Sequence, residues 1–300
     1  MGIVYEAIQH GIEGFRKTVA LKIIQEEFSN DAEFVEMFIG EAKLVADLVH
    51  QNIVQIYQLG KMAHSYYIAM EYINGVDLKK FIDRHIELKR QVPPDIAAFI
   101  ISRICRGLEY AHKKKDRQGR PLNVVHRDIS PANIMLTWEG VVKITDFGVA
   151  KAANLMRDRE GEILMGKVRY MSPEQAKYLP TDARSDIFSL GVVMYELLTS
   201  QPLFEASNTQ KTIHNIVHSS PIPLENICPH LDQELIDINK KALEKNPKKR
   251  YQSAGKMGYD LEHYMYHDRF GPTNVTLEKY LRELFPDGDY QTLDSSFEAK

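Results

Sequence analysis

The chain has 300 residues, 44% of them hydrophobic and 26% charged, and its 38 basic and 41 acidic side chains leave a net charge of −3. That length suits one large domain or two lobes sharing a cleft. The charge balance excludes the basic footprint of a nucleic-acid binder, and the ordinary composition excludes a disordered or collagen-like chain.

The N-terminal part alternates like a twisted sheet, with β-rich stretches at residues 3–8, 18–23, 53–59 and 66–72. One helical pattern interrupts them, carried by Phe34, Met37, Phe38, Leu44, Val45 and Leu48. After Gly75 the character changes. Residues 95–113, 183–199, 233–243 and 254–266 show helical periodicity, and a block of short strands and loops spans 122–175. The basic segment KKKDRQGR at 113–120 reads as a solvated loop or as a docking patch for an acidic partner. Leu277, Tyr280, Leu281, Leu284 and Phe285 mark one more amphipathic helix, expected to pack back on the helical part before a frayed tail. The fold class is therefore α+β: a small β-rich lobe with one long helix over residues 1–73, a larger, mostly helical lobe over 74–267, and an extension over 268–300.

Cys105 and Cys228 have neither metal spacing nor a disulfide framework, and read as buried free thiols in a reducing cytosol. The longest apolar run, residues 187–198, contains Ser189 and Glu196 and is too short and polar to cross a bilayer. No signal peptide opens the chain. A cytoplasmic protein acting away from membranes and nucleic acid is expected.

Phosphoryl transfer asks a protein for a cation on the phosphates, Mg²⁺ ligands and an acceptor for the hydroxyl proton. Residues of these types occur in that order. Lys22 ends the strand-like stretch Val19-Ala20-Leu21-Lys22, and Glu41 on the helical pattern is a natural counter-ion. His126-Arg127-Asp128 and Asn133 put a carboxylate and a carboxamide on one loop. Asp146-Phe147-Gly148 follows the strand at 141–144, and Ser172-Pro173-Glu174, Asp186, Gly191 and Arg250 come later. A lone strand lysine is ordinary surface; the ordered set is not.

Together these motifs resemble the catalytic domain of eukaryotic-type protein Ser/Thr kinases over roughly residues 1–266. The phrases HRDISPANIM, DFGVAKA and GKVRYMSPEQ look most like bacterial members, in particular those of myxobacteria and related deltaproteobacteria. The resemblance implies ATP and Mg²⁺ as cofactors and a protein as substrate. It implies that Lys22 grips the phosphates and pairs with Glu41, that Asp128 accepts the hydroxyl proton, and that Asn133 and Asp146 hold Mg²⁺. Met70 would be the gatekeeper, with Glu71, Tyr72 and Ile73 as the hinge. Val4, Ala20 and Met135 would enclose adenine, Gly2 would lie on the phosphates, and Asp77 would reach the ribose. Val45, Ile56, His126 and Phe147 would stack as an apolar spine. Glu174 would pair with Arg250, and Asp186 would anchor the loop of Asp128.

Three departures accompany the matches. The opening Met1-Gly2-Ile3-Val4-Tyr5 resembles only the end of a glycine-rich loop, which implies a weakened or truncated phosphate roof. The family's lysine two residues after the catalytic aspartate is Ser130 here, and its later threonine is Lys167, which suggests a swap of ammonium and hydroxyl. Residues 149–169 contain no Ser, Thr or Tyr, so Asp158, Glu160 or Glu162 is the expected anionic partner of Arg127. An active Ser/Thr kinase is the leading reading. A pseudokinase scaffold and a small-molecule kinase are the alternatives.

Overall fold

A computed structural model of the chain describes residues 2–24, 32–62, 65–147, 168–267 and 270–288. Strands β1 (Gly2–His10) and β2 (Arg16–Ile24) pair antiparallel across a tight turn. Helix α1 (Ala32–Ala46), β3 (Ile56–Met62) and β4 (Ser65–Glu71) follow, and the strands form one sheet in the order β1-β2-β4-β3. The register sets Val4 opposite Lys22, and Met70 opposite both Ala20 and Ile56. Directly paired residues share a face and faces alternate along a strand, so Val4, Ala20, Lys22, Ile56 and Met70 stand on one side. Helix α1 packs on that side: Phe38 and Ala42, one turn apart, bury against Ile24 and Ile68.

A second, three-stranded sheet has the order β5-β6-β7, formed by β5 (Gly75–Asp77), β6 (Ile134–Thr137) and β7 (Val142–Ile144). A side chain at residue 75 would place its Cβ 2.0 Å from the Leu136 carbonyl oxygen, so β5 can lie this close to β6 only as glycine. Helices α2 (Leu78–Glu87) and α3 (Pro94–His112) lie between β5 and β6 in sequence. Then come α4 (Pro173–Ala176), α5 (Ala183–Thr199), α6 (Thr209–His218), α7 (Leu224–Ile227), α8 (Gln233–Ala242), α9 (Ala254–Tyr266) and α10 (Asn274–Leu284). Every residue of α5 from Ser185 to Thr199 is buried, which makes it the axis of the helical lobe. Among the described residues no helix is long and apolar enough to cross a membrane. Cys105 and Cys228 are free and buried, as expected.

The α+β, two-lobed architecture is as read from the sequence, with one local correction. The expected strand at 53–59 joins its sheet only from Ile56. Residues 52–54 instead pair with β7: Val54 N donates to Ile144 O and Ile144 N to Asn52 O, each at 2.9 Å. This stretch stitches the small lobe to the sheet that carries the site loops. The C-terminal amphipathic pattern is α10, whose Leu277, Leu281 and Leu284 are buried. It docks on α2, where Arg84 Nε donates to Leu284 O at 3.2 Å. His85 Nε2 and Tyr280 Oη lie 2.6 Å apart in the same contact. The tail beyond residue 288 lies outside the described residues.

Candidate active site

The cleft between the lobes gathers the chemistry-bearing residues. Lys22 Nζ, on the α1-facing side of β2, lies 2.8 Å from Asp146 Oδ1, which follows β7. One residue on from Asp146, the Phe147 ring is buried and meets the His126 ring at 4.6 Å between centroids. Val45, Ile56, Met70 and Phe147 wall a closed gap of about 20 Å³ beside Lys22 and Asp146. Of the predicted spine, Val45, Ile56 and Phe147 line this gap, and His126 meets Phe147. The Glu41 side chain, and with it the expected Lys22–Glu41 pair, lies outside the described residues, as do Gly148, Asp158, Glu160, Glu162 and Lys167.

The loop of Asp128 is held from below. Asp186, on the buried first turn of α5, accepts from His126 N and Arg127 N and pairs with His112 Nε2, each at 2.8 Å. Burial alone would raise the Asp186 carboxyl; the bond and charge of His112 and the His126 amide outweigh it and hold the group below the usual carboxylate range. The His126 imidazole donates from Nε2 to Thr145 O at 2.9 Å, which leaves Nδ1 to accept from Asp128 N at 3.2 Å. Arg127 has φ +63° and Asp146 φ +50°, left-handed conformations that non-glycine residues adopt only where surroundings impose them. Arg127 adjoins Asp128, and Asp146 is the carboxylate that meets Lys22.

Asn133 Nδ2 donates to the carbonyl of Asp128 at 2.8 Å and to its Oδ2 at 3.0 Å, which joins the loop's carboxylate and carboxamide. Ser130 is buried, and its Oγ has no hydrogen-bond partner among the described residues. The expected donors Asp146 and Asn133 offer hard oxygens, which suits Mg²⁺. Among the described residues no three His, Cys, Asp or Glu form a metal cage, and an ion completed by phosphate oxygens and water does not need one.

Where adenine is expected, Val4, Ala20 and Met70 share the cleft-facing side of the sheet, and Met135 pairs with Asp77 across β5 and β6. Gly2 sits at the start of β1, opposite Ile24. The Glu71 carboxylate turns away to Lys143 Nζ at 2.8 Å, so this residue offers the hinge only its backbone. Asp77 caps α2, accepting from Lys80 N at 2.8 Å, so part of the carboxylate expected at the ribose is already engaged.

Farther down, Glu174 takes Arg250 in a two-pronged pair, at 2.8 Å and 3.2 Å, and accepts from Ser185 Oγ at 2.8 Å. Three contacts have no local signal in the sequence. Gln175 Nε2 donates to Arg127 O at 2.9 Å, His112 supports Asp186, and Tyr170 Oη donates to Glu196 at 2.6 Å while Arg169 bridges Glu196 and Glu205. Burial chiefly pushes the Glu196 carboxyl up despite these partners.

A β-rich lobe over a helical lobe, with Lys22 and Asp146 paired in the cleft and Asp128 and Asn133 joined on one loop, is the arrangement of the protein kinase fold. The chain belongs to the protein kinase family: the protein kinase domain profile matches residues 1–261. It is 37% identical over 285 residues to tyrosine-protein kinase MasK of Myxococcus xanthus, covering 95% of this chain and 44% of that protein. Serine/threonine-protein kinase PknB of Mycobacterium tuberculosis is 35% identical over 254 residues, covering 82% of this chain and 38% of the relative. The chain therefore spans less than half the length of these curated relatives. The crystal structure of the Mycobacterium tuberculosis PknI kinase domain superposes with a TM-score of 0.64 at 26% identity, covering 88% of this chain and 90% of that one.

Proposed function

We propose that this chain transfers the γ-phosphoryl group of ATP to Ser or Thr hydroxyls of proteins in the cytoplasm, with Mg²⁺ as cofactor. The observation that carries the reading is the cluster in which Lys22 meets Asp146 at 2.8 Å and Asn133 meets Asp128 at 3.0 Å. Bound Mg²⁺ would neutralise charge on the phosphates. Asp146 and Asn133 are its proposed ligands, and Lys22 the cation on the phosphate oxygens. Asp128 takes the proton of the acceptor hydroxyl, and its orientation is fixed by Asn133 and by the amides that Asp186 clamps. Val4, Ala20, Met70 and Met135 exclude water around the adenine, Glu71 and Ile73 read it through their backbone, and Gly2 lets the chain approach the phosphates. Proposed lobe limits are residues 1–73 and 74–267, followed by an extension over 268–300.

Support for the ammonium–hydroxyl swap comes from Ser130. A buried hydroxyl without a partner is costly, by about 1–3 kcal/mol, and an ammonium from Lys167 would satisfy it. Lys167→Ala should then cut phosphotransfer by at least about tenfold, with Lys167→Arg retaining more. Wild-type turnover in Lys167→Ala would refute the swap. A finer partner reading, an acidic protein at the basic 113–120 segment, rests on that segment's excess of Lys and Arg.

The decisive assay compares Mg-ATP-dependent phosphotransfer by the chain and by Asp146→Ala, followed by phosphoamino-acid analysis. Activity lost in the variant supports the kinase reading. Phosphotyrosine alone would overturn the Ser/Thr assignment, and MasK's name makes that arm necessary. Nucleotide binding without transfer would favour a scaffold.

A further inference from the structure

On the helical lobe, away from the cleft, α3 and α9 line an open groove of about 750 Å³, with His50, Gln51, Lys113, Lys114 and Lys115 also in its walls. None of its lining residues belongs to the Lys22–Asp146 site. The two helices meet closely because α9 presents glycine. A Cβ at Gly255 would lie 2.7 Å from the Glu109 carboxyl carbon, and Gly255 N donates to Glu109 Oε2 at 2.8 Å. The groove is thus built by helix packing, with Tyr110 and the exposed Tyr259 among its walls.

Its charges do not cancel. Glu109 is matched by Lys113 at 2.6 Å, and Glu262 by Arg106 at 2.6 Å. Lys114, by contrast, is held among the described residues by neutral oxygens: the Asp47 carbonyl at 2.7 Å and the Tyr110 hydroxyl at 3.1 Å. Exposed Lys115 has no anionic partner among the described residues. On the neighbouring turn, Arg120 and Asp116 satisfy each other at 2.7 Å and leave these ammonium groups alone. His50 stacks on Tyr110 at 5.1 Å, and its imidazole is pushed below the ordinary value by burial and then by the positive charges of Arg106 and Lys143. Tyr110 Oη already accepts from Val49 N at 3.3 Å and from Lys114, so its own proton is available to an incoming acceptor.

We propose that this groove is a docking site for an acidic peptide segment of a partner protein, with carboxylates on Lys114, Lys115 and the Tyr110 hydroxyl and an apolar side chain between Tyr110 and Tyr259. The site deepens the acidic-partner reading of the 113–120 segment and is independent of phosphotransfer. A partner captured here leaves the nucleotide cleft open, so the groove adds selectivity without touching the chemistry. The overall negative charge of the chain disfavours a nucleic-acid polyanion and favours a short acidic segment that reaches only the basic rim.

The test is fluorescence anisotropy with a labelled decapeptide of glutamates and leucines that lacks Ser, Thr and Tyr. Saturable binding to the whole chain is expected. Affinity should fall at least about tenfold in Lys114→Glu/Lys115→Glu, and measurably in Lys115→Glu alone, where no internal contact is lost. Lys248→Glu/Lys249→Glu, exposed lysines elsewhere carrying the same charge change, should bind like wild type. Equal losses in both double variants would reduce the effect to net charge and overturn the site, as would the absence of saturation by the wild type or equal capture of a single-stranded oligonucleotide. Phosphotransfer to a generic substrate should be unchanged in Lys115→Glu, so failure of the groove and failure of the kinase reading are told apart.

Discussion

Replacing Asp186 by Asn tests whether the clamp under the Asp128 loop works by charge and acceptor count rather than by shape. Asp186 is 1% exposed and engages His126 N, Arg127 N and His112 Nε2, each at 2.8 Å. Asparagine fits the same space but has one acceptor oxygen. Turned one way, its NH₂ faces the Arg127 amide; turned the other, it faces the His126 amide. At least one buried backbone N–H is then orphaned, at about 1–3 kcal/mol, and the remaining bonds lose roughly half their strength with the charge. The total comes to about 3 kcal/mol of unfolding free energy. Trp138, the chain's one tryptophan and buried, reports the transition in urea. Catalysis should suffer more than folding, because Arg127 holds φ +63° only while its amide is bound. Relaxation there displaces Asp128, and a shift on the order of 1 Å costs about a hundredfold in kcat. The KM for ATP should stay within about twofold, since Lys22 and the β2–β4 face are untouched. An unfolding free energy within about 0.5 kcal/mol of wild type together with undiminished kcat would refute the reasoning.

Two further outcomes concern the C-terminal helix. Leu281→Ala should cost about 2–5 kcal/mol, read by urea unfolding and by proteolysis within 270–288, while kcat of the folded fraction stays put. The buried His85 imidazole is held below its ordinary value of 6.5, chiefly by burial, against the opposing bond to Phe81 O and with help from Arg90. The unfolded chain therefore binds the proton more readily. The contribution of His85 is fully present above pH 6.5 and is lost as pH falls from there through the lower folded value. The urea midpoint should drop more between pH 7.5 and pH 5 in wild type than in His85→Gln, and equal drops would show that His85 contributes nothing to the pH dependence.

What was legible in the sequence follows from how local each requirement is. Phosphoryl transfer demands particular side chains on single loops, so Asp128 and Asn133, or Asp146 after its strand, declare themselves at short spacing. Helix α5, buried all round, shows as a nearly continuous apolar run, whereas the core side of α1 shows in its periodicity, with Phe38, Ala42 and Val45 buried at helical spacing. Helix α2 carries the same signal, with Leu78, Phe81, Ile82 and His85 buried at helical spacing, but Asp77 has two possible uses, and only the folded chain shows it capping Lys80 N. The supports of the site leave no trace of this kind. Gln175 reaches the Arg127 carbonyl, His112 reaches Asp186 and Lys143 reaches Glu71 across long stretches of chain. Each is an ordinary polar residue on an ordinary element, and its partner is chosen by tertiary packing. The groove between α3 and α9 lies between these extremes. Its basic segment is visible as charge, but its depth depends on Gly255 and Gly258, two glycines inside a helix that propensity alone would count against it. Their place in α9 is explained by the approach to Glu109 and Cys105. A sequence can thus announce that a patch is charged, while only the packing decides that the patch has walls.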